Sequence, residues 1–439
     1  MTTLVGPIEQ AVLDAPAIGD EMMSLAAALY PLPRSLSGDG VRATLRLVAD
    51  WAPLEVTEVT SGTPAFDWTV PPEWNVREAW IRDTEGRTIV DGADSTLRVL
   101  GYSEPVASRL SGGELLEHLH SVPEHPDWIP YRTSYYDRAW GFCVTARELS
   151  TIDPAAEYDV RIDSTLDAGS ITLAEHLVAG SSDDEVIVST YTCHPSLAND
   201  NVSGIVVSAA LAKLFPRGSL RRAHRFLFAP SVIGALSWLQ ANADRLDRVH
   251  AGLIVSCAGD AGPLRYKESR RGRTVVDRAA ALALRGEPGA LREPFVPWGG
   301  DERQFCAPGF DLAFGSLSRS PHGTYPEYHT SADDLALISA DALTGSLRAA
   351  ARLLDIVDAD RTLESRVPYG EPQLGRRGLY GSIGVGLPTE DLRKALLWVL
   401  NLADGHHSLI DVTERSDLPF WLVRHAAGLA EEAGLVTAG

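Results

Sequence analysis

Residues 185–204, EVIVSTYTCHPSLANDNVSG, constrain the fold more than any other stretch of the chain. Val186 to Tyr191 is an apolar run rich in β-branched residues and reads as a buried strand. At Cys193-His194-Pro195 the backbone must leave the sheet. Ser203-Gly204 then opens an apolar segment of helical length, 205–215. Between the two lies a polar loop holding His194 and, six residues on, Asp200 between Asn199 and Asn201. A strand feeding a helix through such a loop is the unit of an open α/β sheet, which binds ligands at the carboxyl ends of its strands.

The same pattern repeats through the second half. Strands are expected at 186–191, 225–229, 252–257 and 311–316, and helices at 204–215, 233–243, 274–285 and 334–357. This alternation predicts a three-layer α/β domain with a mainly parallel or mixed central sheet. Residues 1–51 supply helical periodicity (21–30 and 41–51) and form the N-terminal part of that domain. Residues 52–145 differ. Short β-like runs (54–59, 79–81, 88–90, 97–99) alternate with Pro, Gly and Asp turns, and aromatics crowd among them: Trp68, Trp74, Trp80, Trp128, Tyr131, Tyr135, Tyr136 and Trp140. They read as an inserted, mainly β domain, with the larger domain resuming over 146–366. After the turn-rich Pro368-Tyr369-Gly370-Glu371-Pro372 and LGRRGLYGSIG come three short helices, 390–402, 409–415 and 420–433. Residues 367–439 are therefore expected to form a winged-helix module.

A histidine or carboxylate follows several strand ends: His194 and Asp200 after the first, Asp260 after 252–257, and His329 in the PEYHTS run before the last long helix. Two imidazoles and two carboxylates suit Zn²⁺, and less specifically Mn²⁺ or Fe²⁺. Each residue has an ordinary alternative. Asp200 can cap a helix, Asp260 can make a turn, and a loop histidine can be simply polar. Their shared place at strand ends is what points to a site.

Composition excludes other classes. No stretch nears the roughly 20 apolar residues of a membrane span. MTTLVGPIEQAVLDAP has no basic n-region followed by an apolar one, and the four cysteines are widely spaced, so a cytoplasmic chain is expected. The net charge of −20 argues against a polyanionic partner. Over residues 388–439 eight acidic and four basic side chains give −4, which disfavours phosphate contact and predicts that the module packs on the body or on a second subunit of a homo-oligomer.

CHPSLANDNVSG, Gly259-Asp260, DERQFCAPGFDLAFGSLSR, YPEYHTSADDLALIS, GEPQLGRRGLY and LLWVLNLADGHHSLIDV resemble the zinc aminopeptidase superfamily, which includes leucyl aminopeptidases, carboxypeptidase-like relatives and glutaminyl cyclases. The resemblance is closer to bacterial aminopeptidase-like proteins with an inserted β domain and a C-terminal winged helix, which often lie in polysaccharide or natural-product biosynthesis clusters. It implies that His194 and Asp260 serve a first metal, that Asp200 bridges two metals and that His329 serves the other. Asp301 resembles a structural aspartate, and Asp333 or Asp334 one that supports the site. The superfamily places adjacent glutamates after the strand matching 225–229, and the closer group keeps one, in a Pro-Glu-x-Ile-Gly pattern. Here the run is Pro230-Ser231-Val232-Ile233-Gly234. Serine is a poor base and a weak zinc ligand. With Ser231 in the catalytic position, Glu302 and Glu327 are the acids offered as base, and one zinc ion is expected rather than two. The expected function is hydrolysis of a peptide or amide bond in a small substrate, with the insert walling the pocket. The alternatives are a member that binds without hydrolysing and, disfavoured by charge, a nucleic-acid regulator.

Overall fold

The side chains of the central strand Glu185–Tyr191 alternate between two apolar cores. Val186 and Val188 join one, while Ile187 and Tyr191 join the other. A strand buried on both faces needs this continuous apolar run, and its length is what makes it legible in sequence. The computed structural model describes residues 5–218, 220–379 and 389–438.

Eight strands form the large sheet, in the order Glu55–Thr60, Ser170–Val178, Ala223–Ala229, Glu185–Tyr191, Val249–Val255, Phe314–Ser318, Arg265–Lys267, Leu291–Glu293. The four from Ala223–Ala229 to Phe314–Ser318 run parallel, and antiparallel strands flank them. One face is covered by the helices Ile18–Leu29, Asp39–Ala49, Gly204–Leu214, Val275–Ala283 and Ala340–Ala359. The other is covered by Ile233–Ala241 and by the insert. The fold is thus the expected mixed three-layer α/β domain.

The insert is built on a four-stranded antiparallel sheet, Thr88–Asp91, Glu73–Asp83, Glu157–Asp167, Val106–Ser111. Two strands differ from the expected boundaries at 52 and 145. Glu55–Thr60 pairs with Ser170–Val178 in the large sheet, and Glu157–Asp167 belongs to the small one. The chain passes between sheets inside these strands' connections, where no composition shift marks the crossing. The run 97–99 falls on a single helical turn, Thr96–Arg98, whose first residues Ser95 caps.

The C-terminal module has the helices Thr389–Asn401, Leu409–Ser416 and Phe420–Glu432 and a three-stranded sheet, Asp404–Ser408, Thr362–Ser365, Val436–Ala438. Its apolar side chains, Leu396, Ile410 and Val423 among them, are continuous with the core beneath the large sheet. The end of LGRRGLYGSIG, 380–384, lies outside the described residues, as does the start of the N-terminal stretch, 1–4. No helix among the described residues is long and apolar enough to cross a membrane.

Candidate metal centre

The loop after the central strand is tied down by its own asparagines. Asn199 donates from Nδ2 to Asp260, and its Oδ1 accepts from Gly259 N at 2.9 Å. Asn201 donates from Nδ2 to Thr190 Oγ1 and Tyr191 O, and its Oδ1 accepts from Cys257 N. The backbone amides of Asn199 and Asp200 donate to the carboxylate of Asp333. Of the two aspartates offered for support, Asp333 is therefore the one beneath the loop. Asp334 accepts from Ala336 N at the exposed edge.

This scaffold presents Asp200, fully buried, to three imidazoles. Asp200 Oδ2 faces His329 Nε2 at 3.0 Å, and neither atom has a hydrogen-bond partner elsewhere. The ligand atoms of His194, Asp200 and His329 lie within 4.8 Å of one another. His194 stands on the loop after the central strand, its carbonyl held by Arg34 Nε at 2.8 Å. His329 comes from the far loop, in positive φ, with Tyr328 stacked on its ring at 3.9 Å. Its carbonyl accepts from Tyr131 N of the insert, so the insert and the large domain share the site.

Electrostatics prepare these groups for a cation. Burial pushes His194 down to about 4, so its imidazole is neutral and has a free lone pair at neutral pH. Burial alone would raise Asp200, but His194, His329 and His322 outweigh it and hold the carboxyl well below its usual range. A buried carboxylate whose Oδ2 has no hydrogen-bond partner is costly unless something positive completes it. A tetrahedral ion with bonds of about 2.0–2.1 Å spaces its ligands roughly 3.3 Å apart, which the Asp200–His329 separation fits.

The sequence candidates divide. His194, Asp200 and His329 come together. Asp260 stands outside both groups of potential ligands: its oxygens accept from Asn199 Nδ2 at 2.8 Å, Ser320 N and Oγ, and Gly262 N, so it organises the loops instead. Ser231 Oγ donates to Asp301 Oδ1 at 3.0 Å, and the amide of Val232, in positive φ, donates to the same oxygen at 2.8 Å. Burial raises Asp301 to about 6. Glu302 is wholly buried. Its Oε1 pairs with Lys267, while its Oε2 has no partner and lies against Gly300. The carbonyl of Glu327 accepts from Thr330, closing the turn that contains His329, and its side chain does not line the cavity.

Sequence reasoning missed a second group, Asp200, Cys257 and His322, whose ligand atoms also lie within 4.8 Å of one another. Through His194, His322 and His329 both groups border a cavity of about 510 Å³. Tyr131, Tyr135, Tyr136 and Trp68 of the insert line it as well, with Tyr328 and Trp298, and Arg132 and Arg303 add positive charge. Phe142, farther along the insert, is packed in its core instead. Among the described residues that line the cavity, none is Asp or Glu.

Comparison with known proteins identifies the family and fold. The family Domain of unknown function (DUF4910) matches residues 23–360, and a winged helix-turn-helix family matches 361–438. A curated protein of Clostridium acetobutylicum, named for polysaccharide biosynthesis and an aminopeptidase-like domain, is 39% identical over 96% of this chain and 96% of its own. A crystal structure of a candidate peptidase from Clostridium acetobutylicum has a TM-score of 0.90 at 37% identity, covering 98% of this chain and 99% of that one. A zinc aminopeptidase from Bacillus subtilis matches at a TM-score of 0.58 and 13% identity, over 78% of this chain and 94% of that one.

Proposed function

The chain belongs to the family Domain of unknown function (DUF4910), with an aminopeptidase-like fold and a C-terminal winged helix, and from that premise we propose that it is a metal-dependent hydrolase cleaving a peptide or amide bond of a small substrate. The observation that carries this reading is the convergence of the ligand atoms of His194, Asp200 and His329 beside the cavity, with Asp200 Oδ2 and His329 Nε2 otherwise unpaired. These three would hold the ion, and zinc is the metal of the Bacillus subtilis enzyme that shares the fold. Bound there, it would supply a Lewis acid and an activated water. The chain's own residues do the rest. Asp333 fixes the loop that carries Asp200, and Tyr328 and Tyr131 fix the ring of His329. The aromatic wall takes an apolar side chain and displaces water, and Arg132 and Arg303 attract a negative group on the substrate. A cavity of about 510 Å³ suits a dipeptide-sized molecule rather than a protein. The four cysteines are unpaired and buried, in keeping with a reducing compartment.

A second reading has its own support. With no carboxylate on the cavity wall, a general base is not in direct reach, and a member that binds without hydrolysing fits that observation. Of the two acids offered by the sequence, Glu302 is the one behind the wall at Gly299 and Gly300, with a free oxygen. Hydrolysis of a panel of aminoacyl anilides and dipeptides separates the readings. Turnover is expected, lost on chelation and restored by zinc, and reduced at least about a hundredfold in His194→Ala, the scale on which removing one stabiliser of developing charge acts. Absence of turnover across the panel, with peptides still bound by the zinc-loaded protein, would leave the binding reading in its place.

A further inference from the structure

The second group of ligand atoms, Asp200 Oδ1, Cys257 Sγ and His322 Nε2, does not enclose an open space. The hydroxyl of Tyr191 stands among them. It donates to Asp200 Oδ1, lies 2.7 Å from His322 Nε2 and 3.8 Å from Cys257 Sγ. Tyr191 is the last residue of the central strand, and its side chain is 2% exposed, packed in the core between sheet and insert. The ring is therefore packed in the core, and the hydroxyl is tied to Asp200 and His322.

We infer that the Tyr191 hydroxyl takes the place of a second metal ion, so that the centre holds one ion per chain with Asp200 as a terminal ligand rather than a bridge. An ion bonded to both Asp200 Oδ1 and His322 Nε2 would sit about 2.0–2.2 Å from each, between them, where the phenol oxygen already lies. The hydroxyl meets the same demands without a cation. It gives its proton to the carboxylate and takes one from the imidazole, so every polar atom of the trio is partnered. The consequence reaches the first group. With Oδ1 committed to Tyr191, only Oδ2 is free, and it faces His329. Tyr191 and His322 are thus positioning residues for Asp200. Ser231 fits the same arrangement, since the position that would bring another carboxylate to offset a second divalent charge carries a neutral hydroxyl bound to Asp301.

This inference rests on the reading that His194, Asp200 and His329 hold an ion, and the test separates the two. Full-length protein is equilibrated with excess buffered zinc, freed of unbound metal and analysed for metal per chain. It is then reloaded with Co²⁺ to read ligand identity by absorption. Wild type is expected to hold one ion and to show no sulfur-to-cobalt band. Tyr191→Phe, which removes one oxygen and keeps the ring, is expected to hold two and to gain that band through Cys257. Adding Cys257→Ser to Tyr191→Phe should abolish the band. Two ions in wild type, a sulfur band in wild type, or a folded Tyr191→Phe chain that still holds one ion would each overturn the inference and leave the metal-dependent reading intact. A wild type that takes no ion overturns both. Should Tyr191→Phe not fold, Cys257→Ser alone decides. One ion with an unchanged cobalt spectrum is the expected result, and a lost ion or altered spectrum overturns it.

Discussion

At Ser231 one side chain stands where a glutamate is expected, and its neighbours show how the chain has adapted. Asp301 Oδ1 receives both the Ser231 hydroxyl and the amide of Val232, a β-branched residue in positive φ that needs anchoring. A glutamate at 231 would bring a second carboxylate against a buried one already pushed up to about 6. Ser231→Ala should cost about 1 kcal/mol in urea unfolding, the scale of one hydrogen bond, with metal content unchanged. Asp301→Ala leaves a hydroxyl and a strained amide without their acceptor and should cost about 2–4 kcal/mol. Equal losses in the two variants would mean that Asp301 does not hold Val232. Ser231→Glu should destabilise as well, and Asp301→Asn in the same chain should recover part of the loss. The residues that escaped sequence reasoning did so for local reasons. Cys257 falls inside the expected strand 252–257, but the strand Val249–Val255 stops two residues earlier and Cys257 turns out of the sheet at φ 47°. His322 lies past Phe314–Ser318, whose expected end was two residues short, so the strand-end rule that found His194 was not applied to it.

Element types were legible where burial is two-sided or a cap is present. Glu185–Tyr191 and Gly204–Leu214 lie within a residue of expectation. The helix expected from 334 begins at Ala340, because Ser339 caps it by accepting from Ala342 N and residues 334–337 before it close a turn through Leu337 N and Asp334 O. The successive strands Glu157–Asp167 and Ser170–Val178, which belong to different sheets, were not anticipated, since only Gly169 marks the connection between them. The same long helix illustrates an electrostatic debt that sequence does not reveal. Asp355 accepts from the amides of Ile8 and Glu9, the first turn of the helix Pro7–Leu13, and burial raises it to about 7. Its folded value exceeds its unfolded value of about 3.9, so the folded chain binds the extra proton. Stability from this group is full below pH 4 and is lost as pH rises through 7. The urea midpoint of Asp355→Asn should therefore fall less than that of wild type between pH 5 and pH 8. A parallel pair of curves would show that Asp355 does not titrate there.

For the whole molecule the question is what the winged module does. Its acidic balance was legible, and its docking explains where the charge goes. Arg278, on the helix Val275–Ala283 of the body, bonds Asp411 at 2.8 Å and Glu414 at 2.9 Å on the helix Leu409–Ser416, and Arg285 meets Asp417 at 3.0 Å. Half-exposed pairs of this kind contribute about 0–1 kcal/mol each, so the shared apolar core, not the ion pairs, holds the module in place. The helix Phe420–Glu432 carries Arg424 as its one basic side chain other than histidine and ends on Glu431 and Glu432, an unfavourable footprint for phosphate. Two outcomes follow from a docked, acidic module. Duplex DNA should not bind at micromolar protein in low salt by fluorescence anisotropy, and a steep, salt-sensitive isotherm would defeat this view. Arg278→Glu replaces two attractions by two repulsions and should weaken docking by about 1–2 kcal/mol, which raises the undocked population roughly tenfold. Trypsin reads that population at Arg376 and Arg377, which lie between the buried anchors Leu374 and Leu379. Cleavage there should quicken about tenfold in Arg278→Glu while cleavage elsewhere keeps its rate. An unchanged rate would mean that the apolar core alone sets the opening, and a chain cut everywhere at once would mean that the module is part of the body's folding unit rather than a lid-like appendage on it.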